Sequence, residues 1–275
     1  MATIKVVGSV AGLWRFPVKS MRGERLDQTE LTARGLLGDR AYALIDADTG
    51  KVVSAKSVRL FPDLFGYQAT FVEPPRLGRE LPPVRITLPD GTSVKSDSGD
   101  VDRVLSACFK RNVTLARTSP EDFTIDQYYP DVADLGLASS VPVGSFFDLF
   151  PVSVLTTSTL ERLNELRPQS RFDERRFRMN VIVRTKEPGF LENDWVGHEL
   201  GIGPTVRLNV ARPDARCVMT TLAQDDLPKD TDILRILTRH NRIRVGDAGQ
   251  LPCAGVYAVL ATPGTVRTGD RVELN

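Results

Sequence analysis

Two glycine turns set between strand-like runs do most to limit what this chain can fold into. Residues 40–45 and 51–53 flank Asp46-Ala47-Asp48-Thr49-Gly50, and residues 84–88 and 92–94 flank Pro89-Asp90-Gly91. Glycine supplies the positive φ that a tight reversal needs, so each segment predicts a β-hairpin. Residues 4–7 open a further strand, and the prolines between Pro74 and Pro83 mark a surface connection. The first hundred residues are therefore expected to be β-rich. A helix follows, because Val101, Val104, Leu105 and Cys108 recur at helical spacing on one apolar face. That spacing puts Cys108 in the core. Residues 118–146 hold turn formers without periodicity, so they read as a long connection. The domain boundary falls there, giving domains of 1–118 and 119–275.

The second half mixes strands and helices. Residues 150–155, 177–183 and 206–212 read as strands. Ser158-Thr159-Leu160-Glu161 has the form of a capping box, and its helix stops before Pro168. Residues 232–240 form a helix with Ile233, Ile236 and Leu237 inward. Residues 255–261 and 266–274 are expected to pair around Thr262-Pro263-Gly264. The expected class is α+β, β-rich.

Charge excludes several functions. Thirty-six Lys and Arg against 35 Asp and Glu leave a formal net charge of +1 in 275 residues, no footprint for nucleic acid or a membrane surface. Arg171, Arg175, Arg176 and Arg178 form a basic run, but Asp173 and Glu174 interrupt it. No apolar run approaches the roughly 20 residues that span a bilayer. Residues 6–14 are uncharged but short and strand-like, so the expected location is cytoplasmic. Three cysteines and two histidines are too few and too scattered for a disulfide framework or a histidine zinc site. There is no P-loop, no Gly-x-Ser-x-Gly elbow and no Cys-x-x-Cys pair.

One cysteine stands out. Cys217 directly follows Arg216, a cation that favours thiolate, and it ends a strand carrying Val206, Leu208 and Val210. Such a thiolate suits a soft metal or a covalent sulfur intermediate, and it is equally compatible with a structural cysteine at a strand end.

Four segments carry a resemblance. They are Phe16-Pro17-Val18-Lys19-Ser20-Met21-Arg22-Gly23 with Arg34-Gly35-Leu36-Leu37-Gly38-Asp39-Arg40; Arg176-Phe177-Arg178-Met179-Asn180 with Glu192-Asn193-Asp194-Trp195; Arg212-Pro213-Asp214-Ala215-Arg216-Cys217-Val218-Met219-Thr220-Thr221; and Gly255-Val256-Tyr257-Ala258 with Pro263-Gly264 and Gly269-Asp270. In this order they resemble two-domain MOSC proteins, in which an N-terminal β-barrel domain is packed on a MOSC β-barrel domain with peripheral helices. The mitochondrial amidoxime-reducing components share that architecture. The resemblance implies a molybdenum cofactor, molybdopterin, and no role for pyridoxal phosphate. It implies Cys217 as the metal ligand and Tyr257 near the metal. Lys19, Ser20, Arg40, Arg178, Asn180 and Arg216 would contact the cofactor. Asp214 stands where the family often has a second cysteine, and is expected to affect the local potential or to shuttle protons. Met179, Ala223, Gln224, Leu149 and Phe150 also depart from the pattern, around the substrate pocket.

Three functions follow from the resemblance. The first is an oxidoreductase removing oxygen from N-hydroxylated or N-oxide small molecules, fed by a separate flavin or iron–sulfur electron donor, since the chain has no such motif. The second is a sulfurtransferase with a persulfide on Cys217. The third is a non-catalytic carrier of the cofactor.

Overall fold

The computed structural model describes residues 4–117 and 145–275. The expected boundary at 118/119, and residues 118–144 of the expected connection, lie outside them. Two compact units alternate along the chain. One takes Met1–Trp14, Arg25–Leu37 and Phe150–Asn275, and the other takes Arg15–Glu24 and Gly38–Leu149. Early residues expected in the first domain thus join the unit made mainly by the second half, and strand pairing is the reason.

That unit is built on seven strands: β1 (Lys5–Arg15), β2 (Val152–Thr156), β3 (Val181–Arg184), β4 (Glu199–Ile202), β5 (Val206–Ala215), β6 (Gln250–Thr262) and β7 (Arg271–Leu274). They neighbour one another in the order β2-β3-β1-β7-β4-β5-β6, and β6 pairs again with β2, closing the ring. A closed ring with an odd number of strands cannot alternate direction throughout. The exception is β2–β3, which is parallel with Val154 opposite Val181. A parallel pair needs a crossover, and two helices fill it: α2 (Thr157–Leu166) and α3 (Glu174–Phe177). Period-two alternation then serves two cores. Val154, Val181, Val183, Leu208 and Val256 fill the barrel, while Leu155 and Ile182 point outward beneath Leu163 of α2 and Ile233 and Leu237 of α4 (Asp232–His240).

In the other unit, Ala43–Asp46 pairs with Val113–Ala116, and Gln68–Phe71, Val84–Thr87 and Ser93–Lys95 form a three-stranded sheet. Both predicted turns form, with Gly50 at φ 67° and Gly91 at φ 86°. The helix α1 (Val101–Phe109) buries Val101 and Leu105, but Cys108 is exposed. Phe109 takes the inward place instead, its ring 4.6 Å from that of Tyr67.

Three further expectations are corrected. The cap of α2 is Thr156, whose hydroxyl accepts from the Thr159 amide at 3.1 Å; Ser158 turns to Thr185. Residues 177–180 are not strand: α3 ends at Phe177, Arg178 is left-handed, and extended pairing starts at Val181. The C-terminal segments do not pair with each other, because Gly264–Arg267 binds Gln28–Thr32 while β7 binds β1 and β4.

Candidate active site

An irregularity at the end of β5 shapes the site. Pro213 pairs with Val256 and Ala215 with Cys253, so the single residue Asp214 faces two residues of β6, Ala254 and Gly255. This is a β-bulge, a device that redirects side chains next to functional sites. Gly255 sits at φ 83°, and a Cβ there would run into Met179 Cε and lie 2.6 Å from the Val154 carbonyl oxygen. Its amide donates to Glu192 Oε1 at 3.1 Å. Glu192 is fully buried and also accepts from Thr156 Oγ1 at 2.6 Å and Thr159 Oγ1 at 2.7 Å. Burial pushes its carboxyl above the usual range, against those donors. Glu192 thereby ties the bulge to the cap of α2.

Beyond the bulge the chain leaves β5 and reaches Cys217, which is extended and opens a 3-10 turn, Val218–Thr221. Its carbonyl accepts from the Thr220 amide at 3.2 Å and from Thr220 Oγ1 at 3.0 Å. Cys217 is half-buried, whereas Cys253 is fully buried and donates to the Leu251 carbonyl at 3.3 Å. Burial, followed by the nearby Asp214 charge, pushes the Cys253 thiol up to about 12. Cys253 is therefore a core thiol. Cys217 is the accessible cysteine on the barrel.

Asp214 is 1% exposed and ion-paired with Arg216. The Arg216 guanidinium also donates to the Phe177 carbonyl and to Met179 Sδ at 3.5 Å, and lies 5.6 Å over the Phe177 ring. Burial opposes its charge, but Asp214, then Tyr257 and Cys217, favour it and raise its proton affinity overall. Its Nε is buried with no hydrogen-bond partner among the described residues. Tyr257 lies on β6 opposite Ser153 and Arg212, and its half-buried ring stacks on Phe150 with centroids 5.4 Å apart. Asn180 is buried; its Oδ1 accepts from both the amide and the hydroxyl of Ser153 at 3.1 Å, and its Nδ2 donates to the Trp14 carbonyl at 3.3 Å. These bonds brace the barrel from β1 to β2. Arg178 is buried at the end of α3.

The structure thus gathers Cys217, Asp214, Arg216, Tyr257, Arg178 and Asn180 in one unit. Lys19, Ser20 and Arg40 lie in the other. There Lys19 Nζ donates to the Phe146 carbonyl at 2.8 Å and pairs with Asp148, whose second oxygen takes Lys56 Nζ at 2.8 Å. Burial lowers Lys19 to about 8; Asp148 opposes that, while Lys56 and Arg40 reinforce it. Asp148 is itself held far below the usual carboxylate range: burial resists ionisation, but the two lysines outweigh it. Ser20 Oγ accepts from the Ala55 amide at 3.1 Å. Arg40 pairs with Asp39 and lies 4.7 Å over the Phe16 ring. Ser20, Arg40 and Arg178 have φ of 65°, 46° and 54°, three of the five non-glycine residues with positive φ among those described. Such conformations cost roughly 1–3 kcal/mol and gather at functional sites.

Sequence reading missed Lys56, Asp148, Glu192 and Arg176. The first two carry no local motif; their pairing with Lys19 exists only in three dimensions. Glu192 and Arg176 stand inside segments noted above, but nothing there marks them as buried.

The barrel thus carries a half-buried thiol just past a bulged strand end, next to a buried arginine–aspartate pair. Residues 7–121 match the model of the MOSC N-terminal beta barrel domain and residues 143–273 that of the MOSC domain. The chain belongs to this two-domain MOSC family. It is 26% identical over 290 residues to mitochondrial amidoxime-reducing component 1 of Homo sapiens, covering 98% of this chain and 84% of that protein. To mitochondrial amidoxime reducing component 2 of Bos taurus it is 26% identical over 300 residues, again covering 98% and 84%. Among solved structures it is similar to the YUAD protein of Bacillus subtilis, with TM-score 0.49 and 13% identity over 100% of this chain and 98% of that one.

Proposed function

We propose that this protein is a molybdenum-cofactor-binding oxidoreductase in which Cys217 supplies the protein's ligand to the metal. The observation that carries the proposal is the placement of Cys217: a half-buried thiol just past the end of a barrel strand, its carbonyl pinned by Thr220 and its neighbour Arg216 immobilised. The donor set fits such a group. No cluster of three or more His, Cys, Asp or Glu side chains that could hold a metal ion occurs among the described residues. A metal that arrives with two dithiolene sulfurs needs only one soft anionic ligand from the protein. The Arg216 Nε, buried without a hydrogen-bond partner among the described residues, would be the N–H donor this segment offers such a group.

Bound there, the cofactor would supply two-electron redox chemistry. The chain's residues hold and orient. Arg216 places a fixed positive charge beside Cys217, and Asp214 keeps that charge from swinging outward. Tyr257, its ring stacked on Phe150, lies on the neighbouring strand opposite Arg212. The relatives' names lead us to N-hydroxylated small molecules as the substrate class, and we assign electron delivery to a separate protein.

The test is the molybdenum content of protein purified from a host that makes the cofactor, measured by mass spectrometry beside Cys217→Ala. Near-stoichiometric metal, lost in the variant, is expected, together with reduction of an N-hydroxylated amidine when reducing equivalents are supplied. Metal-free protein bearing a persulfide on Cys217 would overturn the reading in favour of sulfur transfer. Bound metal that passes to an apo-acceptor without turnover would instead mark a carrier.

A further inference from the structure

We propose that Arg176 is the positioning residue of Cys217, fixing the segment that leads away from it. Arg176 is 1% exposed, and the hydrogen bonds of its guanidinium run to main-chain carbonyls. Nε donates to Arg171 at 2.9 Å, Nη1 to Thr220 at 3.4 Å and Leu222 at 3.3 Å, and Nη2 to Pro228 at 2.8 Å. Burying a guanidinium is costly unless its donors are satisfied, so these bonds exact a defined path from the chain they grip. Three of the four acceptors lie in residues 220–228, just after Cys217. Burial lowers the proton affinity of Arg176, while Asp230 and Asp173 support its charge.

The grip is reciprocal. Arg216, just before Cys217, reaches back to the Phe177 carbonyl beside Arg176. Cys217 is therefore held from both sides by the same short helix, α3. Outside this core an exposed layer repeats the contact: Arg171 donates to Asp226 Oδ2 and Arg175 to Asp226 Oδ1, each at 2.8 Å. Exposed pairs contribute little. Arg176 is the member whose loss frees the segment.

The functional consequence rests on Cys217 being the metal-holding residue, but the test has a structural readout. In full-length protein carrying Cys108→Ser, which leaves Cys217 as the accessible thiol, Arg176→Lys and Arg176→Met are compared with the parent by hydrogen exchange and by iodoacetamide alkylation. Arg176→Met is expected to speed exchange at the Thr220, Leu222 and Asp230 amides by about tenfold, with β5 and β6 still protected. Cys217 alkylation should accelerate in step. Arg176→Lys, which keeps the charge but not the fork, should shift exchange the same way to a smaller extent. Arg171→Gln, confined to the exposed layer, should leave exchange within about twofold.

Unchanged exchange in residues 217–230 of both Arg176 variants would overturn the proposal. So would equal loss of protection across β5 and β6, or an Arg171→Gln effect as large as that of Arg176→Lys. If Cys217→Ala keeps its molybdenum, the reading of Cys217 fails while the exchange result stands. The reverse outcome ends this inference alone.

Discussion

Gly255 shows how much one missing methyl group can decide. Its left-handed backbone and the crowding by Met179 and Val154 admit no side chain, while Gly50, also left-handed, has nothing within 4 Å of where its Cβ would be. Gly255→Ala is expected to destabilise by about 3 kcal/mol or more, strain and overpacking together, against about 1 kcal/mol for Gly50→Ala. Urea denaturation of the two variants checks this; equal losses would contradict it. Lys19 makes a prediction of a different kind. The unfolded lysine titrates near 10.5 and the folded one near 8. Between those values the unfolded chain holds the extra proton, so rising pH favours folding. Relative to Lys19→Met, the wild-type protein should therefore gain stability as pH rises from about 8 to 10.5. The size is on the order of 3 kcal/mol, and paired urea titrations across that window would measure it. At residue scale the sequence singles out Cys217 because a cysteine beside an arginine near a strand end is visible locally, and the structure places it half-buried just past β5. The sequence hid Asp148, which acquires its meaning from Lys19 and Lys56.

Helix α4 was readable in full: Ile233, Ile236 and Leu237 lie at helical spacing and all three are buried. Helix α1 was readable in place but not in facing, because periodicity does not say how far a helix extends over the surface it packs on. That is why Cys108 came out exposed. Residues 177–180 misled for another reason. Phe177 and Val181–Val183 are strand-like residues, but Asp173 caps a helix through the Arg175 amide at 2.9 Å and Arg178 reverses the chain. Local capping outcompeted β propensity. The cap of α2 carries its own prediction. Thr156→Ala removes both the cap and a donor to the buried Glu192 carboxylate, so it should cost about 2–4 kcal/mol. Thr156→Ser, which keeps the hydroxyl, should cost less than about 1 kcal/mol. Thermal unfolding would separate the two, and similar losses would deny the hydroxyl its role.

The barrel is a product of distant pairings, with residues 5–15 bound to 181–184 and 271–274. No local pattern announces such closure, so fold class could be read from turns and alternation while the exchange of strands between the two compact units could not. Residues 119–275 alone would lack β1 and leave β3 and β7 with bare edges. That fragment is expected to be unfolded or aggregated by circular dichroism and light scattering. A soluble, cooperatively melting fragment would contradict the interleaved arrangement.

The hydrogen bonds of Arg176 to the segment it holds all end on carbonyl oxygens, which every residue possesses. Ala223 and Gln224 lie in that stretch. Substitutions such as those at Ala223 and Gln224 that keep the main-chain path therefore leave every acceptor of Arg176 in place. What the arginine fixes is a course of backbone, and the side chains carried along that course are a separate variable.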